Sequence, residues 1–170
     1  GMTNVGVLYR TEGFQPGTVA ALVSCVGLAL MVGKMLYGAL ADRLGGCPAT
    51  CIIYGVALLA YALLCLAPNG SVPVAFAAAA ALGLALPLSN VSFSIWARDF
   101  LGDEGFAKGL KWSQTLYALG IVAFGPLPGW LADRTGGYVA SYLLFGGMMA
   151  VSFLFVALVY RRTRSGGRPL

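Results

Sequence analysis

Residues 18–46 read TVAALVSCVGLALMVGKMLYGAL followed by ADRLGG: an apolar run of 23 residues that ends in a charged, glycine-closed segment. A helix rises about 1.5 Å per residue, so the run reaches about 35 Å, enough to cross a hydrocarbon core of roughly 30 Å. Four more apolar runs follow at about residues 51–66, 74–96, 112–132 and 139–160. The second is short and needs residues 48–50 or 67 to span. Hydrophobic residues make up 59% of 170 positions and charged ones 10%, with a mean hydropathy of +0.82. A soluble domain carries about 25% charged residues, so this chain has too few to cover a water-facing surface. Abundant glycine suits membrane helices that pack closely. The expected fold is all-α: a polytopic membrane bundle of about five transmembrane helices.

The net charge of +5 does not point to nucleic acid. The basic residues fall in short gaps between apolar runs instead of interleaving with aromatics on one face, so the expected partners are membrane lipid and a small-molecule solute. With no histidine, a Cys/His zinc site cannot be built. Cys47 and Cys51, four apart, fit a metal or palmitoylation site, although such pairs are more often small packing residues at a helix start. No metal, cofactor or nucleophile–base pair is expected, and hence no enzyme. Residues 1–16 lack the apolar core of a signal peptide. Opening on Gly1-Met2, the sequence reads as carrying a tag scar or as a piece of a longer chain.

Alternate gaps divide the lysines and arginines eight to two, with Lys34 left inside a run. Arg43, Arg98, Lys108, Lys111, Arg161, Arg162, Arg164 and Arg168 fall on one side, Arg10 and Arg134 on the other. The positive-inside rule makes the richer side cytoplasmic, so the C-terminus is expected in the cytosol of a cell (inner) membrane. Three parts follow: 1–17, the outer end of a preceding helix plus an external loop; 18–160, the five-helix bundle; and 161–170, a basic cytoplasmic tail.

Residues 38–46 (GALADRLGG) match residues 129–137 (GWLADRTGG) at seven of nine positions, 91 residues apart. Each copy closes a helix, and an odd number of crossings separates them, so they lie on opposite membrane faces. Inverted repeats of three-helix units give that arrangement; the residue types favoured at helix ends give an accidental match as the alternative. The repeat implies one more helix before residue 1.

Gly38-Ala-Leu-Ala-Asp42-Arg43-Leu-Gly45 resembles the signature loop of the major facilitator superfamily, which joins the second and third helices of a six-helix half. Gly46 and Cys47 depart from it, since the family usually has arginine or lysine there. Gly125-Pro126-Leu-Pro128-Gly129, with Asp133-Arg-Thr-Gly-Gly-Tyr138, is similar to the eleventh helix of the monocarboxylate and oxalate–formate carriers. The resemblance covers essentially the whole chain and implies part of the C-terminal half of a secondary transporter, with an N-terminal half missing.

Lys34 is the one charge deep inside an apolar run. It can snorkel to the cytoplasmic surface. Side chains lean toward a helix's own N-terminus, however, and this helix is read as running from outside to inside, which turns Lys34 toward the midplane. An intramembrane charge of that kind usually faces a watery cavity or a partner. The resemblance adds that monocarboxylate carriers bear a basic residue four before the motif glycine, where it engages the substrate carboxylate; Lys34 stands four before Gly38. The animal carriers also have an aspartate four residues earlier, and here that position is Leu30, so proton coupling there does not carry over.

Asn90, Ser113, Gln114 and Tyr117 are the other polar groups considered within the runs. Each alone is read more readily as an interhelical hydrogen bond than as a ligand contact. Together with Lys34, Asn90, Gln114 and Tyr117 form the expected substrate site. Gly38, Asp42, Arg43, Gly45 and Asp133 are expected to act in structure and gating. Pro126 and Pro128 make a hinge, or else permit close packing. The function expected is alternating-access transport of a small organic anion; the alternative is a non-transporting helical membrane protein or a truncated remnant.

Overall fold

A computed structural model describes residues 6, 9–10, 13–66, 71–136 and 138–165, with side chains to 162. Parts of the expected outer segment 1–17 (residues 1–5, 7–8 and 11–12) lie outside the described residues, as do 166–170 of the expected tail. No strand occurs among the described residues. Six helices do: α1 (Pro16–Leu44), α2 (Gly46–Leu66), α3 (Val72–Ala85), α4 (Val91–Phe124), α5 (Leu127–Thr135) and α6 (Val139–Ser165), with a 3-10 turn at Leu86–Ser89 between α3 and α4.

Among the described residues, four helical stretches are long and apolar enough to cross a membrane: Pro16–Leu44, Gly46–Leu66, Val72–Thr135 and Val139–Arg162. The third has 64 residues, about 96 Å if straight, or some three bilayer cores. It doubles back. Gly102 has φ 64° and ψ −173°, which breaks α4 into two arms. Phe93 and Tyr117, on opposite arms, meet edge-on with ring centroids 5.6 Å apart, where a straight helix would separate them by about 36 Å. The two arms form a hairpin, so this one stretch supplies both the third and the fourth expected runs.

The gaps are shorter than the composition suggested. The expected loop at residues 41–50 shrinks to Gly45, because α1 continues through Asp42 and Arg43 and α2 begins at Gly46. The gap expected at 97–111 is helical except at Gly102. Charged residues are good helix formers once water can solvate them at a membrane edge. The third run departs the other way: Pro87 has no N–H to give the carbonyl of Gly83, and the chain tightens into a 3-10 turn before α4 starts.

The two segments 91 residues apart both end a helix on a glycine of positive φ, with different ψ (163° at Gly45, 10° at Gly136). Gly45 closes α1 at φ 89°, its N–H reaching the Ala41 carbonyl at 3.0 Å; Gly136 closes α5 at φ 74°, its N–H reaching the Ala132 carbonyl at 2.9 Å. Left-handed φ at a helix C-cap favours glycine, so both copies retain it.

Two packed clusters hold the bundle. One joins Val19, Leu22 and Val26 of α1 to Ala75, Ala78 and Ala79 of α3 and Leu64 of α2. The other joins Tyr37 and Ala41 to Ile53, Tyr54 and Ala57 of α2 and Ile95 of α4. The alanines let α1 and α3 approach closely, which is how helices associate where lipid removes the hydrophobic contrast. Tyr9, fully buried, donates its hydroxyl to the Ala75 carbonyl at 3.1 Å.

Candidate functional site

Along α1 the buried positions are Val19, Leu22, Val26, Gly33, Tyr37 and Ala41, one stripe at helical spacing. Lys34 lies beside that stripe, about 100° around the helix from Gly33 and about 60° from Tyr37, and its side chain is exposed. It has no hydrogen-bond or ion-pair partner among the described residues. Its level is set by its neighbours. A Cβ on Gly33 would stand 3.0 Å from Leu84 Cα and 3.1 Å from Pro87 Cγ, while the Tyr37 hydroxyl is 2.8 Å from Ser92 Oγ. Lys34 is therefore level with the 3-10 turn and the residue that follows it, Asn90.

Asn90 sits between the turn and α4 at φ −129°, ψ −50°, and its side chain makes no capping bond. Its backbone N–H is held by the Pro87 carbonyl at 3.1 Å, so the exposed amide keeps its hydrogen-bonding capacity. Phe93, nearly one turn further along α4, carries Tyr117 edge-on, and Gln114 precedes Tyr117 by three positions on the same arm. Lys34, Asn90 and Tyr117 thus share one layer of the bundle, with Gln114 about one turn nearer Gly102. No hydrogen bond or ion pair joins the four among the described residues. Tyr117 lines a cavity of about 410 Å³.

Beside this layer lies a polar network that no motif revealed. The Tyr37 hydroxyl meets Thr50 Oγ1 at 3.1 Å and Ser92 Oγ at 2.8 Å, and Trp96 Nε1 donates to Thr50 Oγ1 at 3.3 Å. Tyr37, Thr50 and Ser92 are at most 1% exposed. The bonds fasten α1, α2 and α4 together where lipid offers no replacement partner. Tyr37→Phe is expected to lower unfolding stability by about 1–2 kcal/mol, read by denaturant titration in bicelles; no loss would mean that Thr50 and Ser92 pair with each other instead.

The gating candidates separate. Asp42, Arg43 and Gly45 are exposed at the end of α1, Gly38 is half-buried one turn before, and Asp133 is exposed near the end of α5. The carboxylate that meets a helix N-terminus is Asp99, packed against Gly46 at the start of α2 and accepting the Tyr160 hydroxyl of α6 at 2.9 Å. A carboxylate there is stabilised by the positive end of α2. Pro126 is exposed between α4 and α5, while Pro128 is buried and its carbonyl accepts Ser141 Oγ at 3.2 Å. Arg134 lies over the Trp130 ring at 4.4 Å. Asp99 and Tyr160 are 61 residues apart and Tyr37 and Ser92 are 55 apart, so spacing along the chain carried no trace of either contact; Pro87, inside a run read as unbroken, is the local signal that could have located the broken helix.

A family model described as Major Facilitator Superfamily matches residues 2–169. The chain belongs to the major facilitator superfamily. Within it, the chain is 28% identical over 167 residues to monocarboxylate transporter 12 of Mus musculus, an overlap of 95% of this chain and 33% of that protein. It is 30% identical over 145 residues to monocarboxylate transporter 13 of Bos taurus, covering 82% of this chain and 33% of the other. This superfamily member spans about a third of the length of the curated relatives it matches. No solved structure matches it. Family membership and the apolar helices together make it a multi-pass membrane protein.

Proposed function

We propose that this chain is part of a secondary active transporter that carries a small organic anion, a monocarboxylate foremost, across the membrane by alternating access. The observation behind this reading is Lys34: an unpaired ammonium four residues past the middle of α1, about 6 Å along the axis, level with a proline-broken segment. Such a charge inside a bilayer is costly and is characteristically found where a cavity or counter-charge meets it. A carboxylate is the partner an ammonium selects through charge-assisted hydrogen bonds, and the relatives' names, monocarboxylate transporters 12 and 13, support that class.

Asn90, Gln114 and Tyr117 supply hydrogen-bonding groups near the same layer. An N-terminal transporter half supplies the opposite wall of the cavity. Gly38, Asp42, Arg43, Gly45 and Asp133 act at the two ends of the path, and Pro126 and Pro128 let the fourth crossing bend. The chain sits in the cell (inner) membrane with residues 161–170 in the cytosol, as the eight-to-two charge division supports.

The test is uptake of a labelled short monocarboxylate, and of the amide of the same acid, into proteoliposomes that hold the full-length protein of which this chain is part. Saturable accumulation of the acid and none of the amide is expected. Equal entry of both removes the anion reading, and entry of neither favours a non-transporting membrane protein.

A further inference from the structure

Of the four helical stretches able to cross a membrane, that of α6 has the smallest buried share. One face of it is used: Gly146 lies against Tyr61, the Tyr54 hydroxyl meets Ser152 Oγ at 2.8 Å, and Phe153 packs on the Tyr54 ring, all toward α2. The other face is an apolar stripe at helical spacing, Met148, Val151, Leu154, Phe155 and Leu158, each at least half exposed. Arg161 and Arg162 follow Leu158 by three and four positions, so they continue the same face, and both are exposed. No aspartate or glutamate occurs anywhere in α6.

A third arginine reaches this end from another helix. The Tyr160 hydroxyl donates to Asp99 Oδ2 at 2.9 Å, and the Tyr160 and Phe100 rings pack with centroids 4.8 Å apart. Arg98, the residue before Asp99, is thereby brought to the end of α6 that carries Arg161 and Arg162, and it too is exposed. Asp99 itself is engaged, packed against Gly46 at the N-terminus of α2 and accepting the Tyr160 hydroxyl. Neither Arg98 nor Arg162 has an ion-pair partner among the described residues. Of the other acids at this edge, Asp42 adjoins Arg43 at the end of α1, and Asp103 and Glu104 are exposed beyond the Gly102 break. Three guanidiniums therefore gather around a carboxylate that a hydroxyl and a helix end already occupy.

We propose that the exposed face of α6 binds an anionic phospholipid, its phosphodiester held by Arg98, Arg161 and Arg162 and one acyl chain lying along the stripe from Leu158 to Met148. The dimensions agree: that stripe rises about 15 Å along the helix, the depth of one leaflet of a roughly 30 Å core. Arginine suits a phosphodiester because its planar fork offers two parallel N–H donors to two oxygens. Charge selects the class of lipid. A zwitterionic headgroup brings an ammonium that three guanidiniums repel and that no carboxylate of α6 offsets, whereas an anionic glycerol headgroup brings none. Basic clusters at the end of a crossing helix draw anionic lipid in this way. The site lies on a different helix from Lys34 and does not depend on what Lys34 binds. Its phosphate would sit beside the contact between Asp99 and Tyr160 that ties α4 to α6.

The test places the full-length protein of which this chain is part in phosphatidylcholine nanodiscs. Separate samples hold equal mole fractions of a phosphatidylglycerol or a phosphatidylcholine probe, each with a diazirine on one acyl chain. Labelled positions are read by peptide mass spectrometry. Saturable labelling within residues 148–158 is expected, about fivefold or more stronger for the phosphatidylglycerol probe, with the preference weakening at high salt. Arg98→Gln, Arg161→Gln and Arg162→Gln together should bring the two probes to parity and leave phosphatidylcholine labelling as it was. Arg162→Gln alone, at an exposed position, should remove part of the preference, and Arg134→Gln, near the end of α5, none of it. Equal labelling by both probes in the unsubstituted protein, or a preference that survives the triple substitution, would overturn the proposal. Displacement of the probe by millimolar inorganic phosphate would make this a site for a free anion and overturn it too. Labelling of residues 148–158 by neither probe would mean that another protein surface covers the face, which sinks the lipid site equally.

Discussion

In the full-length protein of which this chain is part, replacing Lys34 by glutamine is expected to raise the KM for uptake of a small monocarboxylate by about ten- to a hundredfold, the usual weight of a charge-assisted hydrogen bond. Glutamine is one atom shorter than lysine but keeps two N–H donors and removes the charge. Because Lys34 is exposed and unpartnered among the described residues, the substitution should leave the Tm where it was. That separates a lost ligand contact from a lost fold. Lys34→Arg should retain most of the uptake, since arginine keeps the charge and adds a planar fork. Sodium-salt titration of binding in detergent gives a second reading, with weaker dependence on ionic strength in the glutamine variant. An unchanged KM in Lys34→Gln removes the residue from the site, and a parallel loss with a falling Tm assigns it to packing.

How much of this could be read from residues alone depends on the range of the interaction. The apolar runs were legible because burial in lipid imposes one rule on every position of a helix, and they lie within α1, α2, α6 and the 64-residue stretch. The two matching segments were legible as helix ends, and each closes its helix on a glycine of positive φ, although Gly45 (ψ 163°) and Gly136 (ψ 10°) differ in the rest of the cap. Lys34 stood out as a lone charge among aliphatic neighbours. The extents of the loops did not read correctly, because charge at residues 41–50 and 97–111 suggests solvent, and solvent at a membrane edge is compatible with helix. The fastening of Tyr37 to Thr50 and Ser92 and the seat of Asp99 between Gly46 and Tyr160 were not legible at all. Each depends on which helices become neighbours, a property of the whole bundle that no local pattern encodes.

The same distinction locates the position least tolerant of added bulk. Gly83→Val is expected to destabilise the protein by about 3 kcal/mol, at the upper end of what overpacking costs. A Cβ at Gly83 would stand 2.5 Å from both the Val26 carbonyl oxygen and the Ala29 Cβ, and 3.1 Å from the Leu30 N. Two of those three atoms are backbone, so the strain cannot be relieved by turning a side chain; α1 and α3 must separate. Separation at that crossing loosens the packing of Val26 and Leu22 against the alanines of α3. It also reaches Gly33 and Lys34 less than two turns further on, because Gly33 is held equally close to Leu84 and Pro87. Denaturant unfolding in bicelles should show the loss, and anion uptake should fall with it as Lys34 leaves its level beside Asn90. Gly27→Ala, on the α1 side of the crossing with no atom within 4 Å of the added carbon, is the control and should not lose stability. A Gly83→Val protein as stable as the parent would mean that the two helices are not in contact at this crossing, and the layer that aligns Lys34 with the broken helix would lose its support.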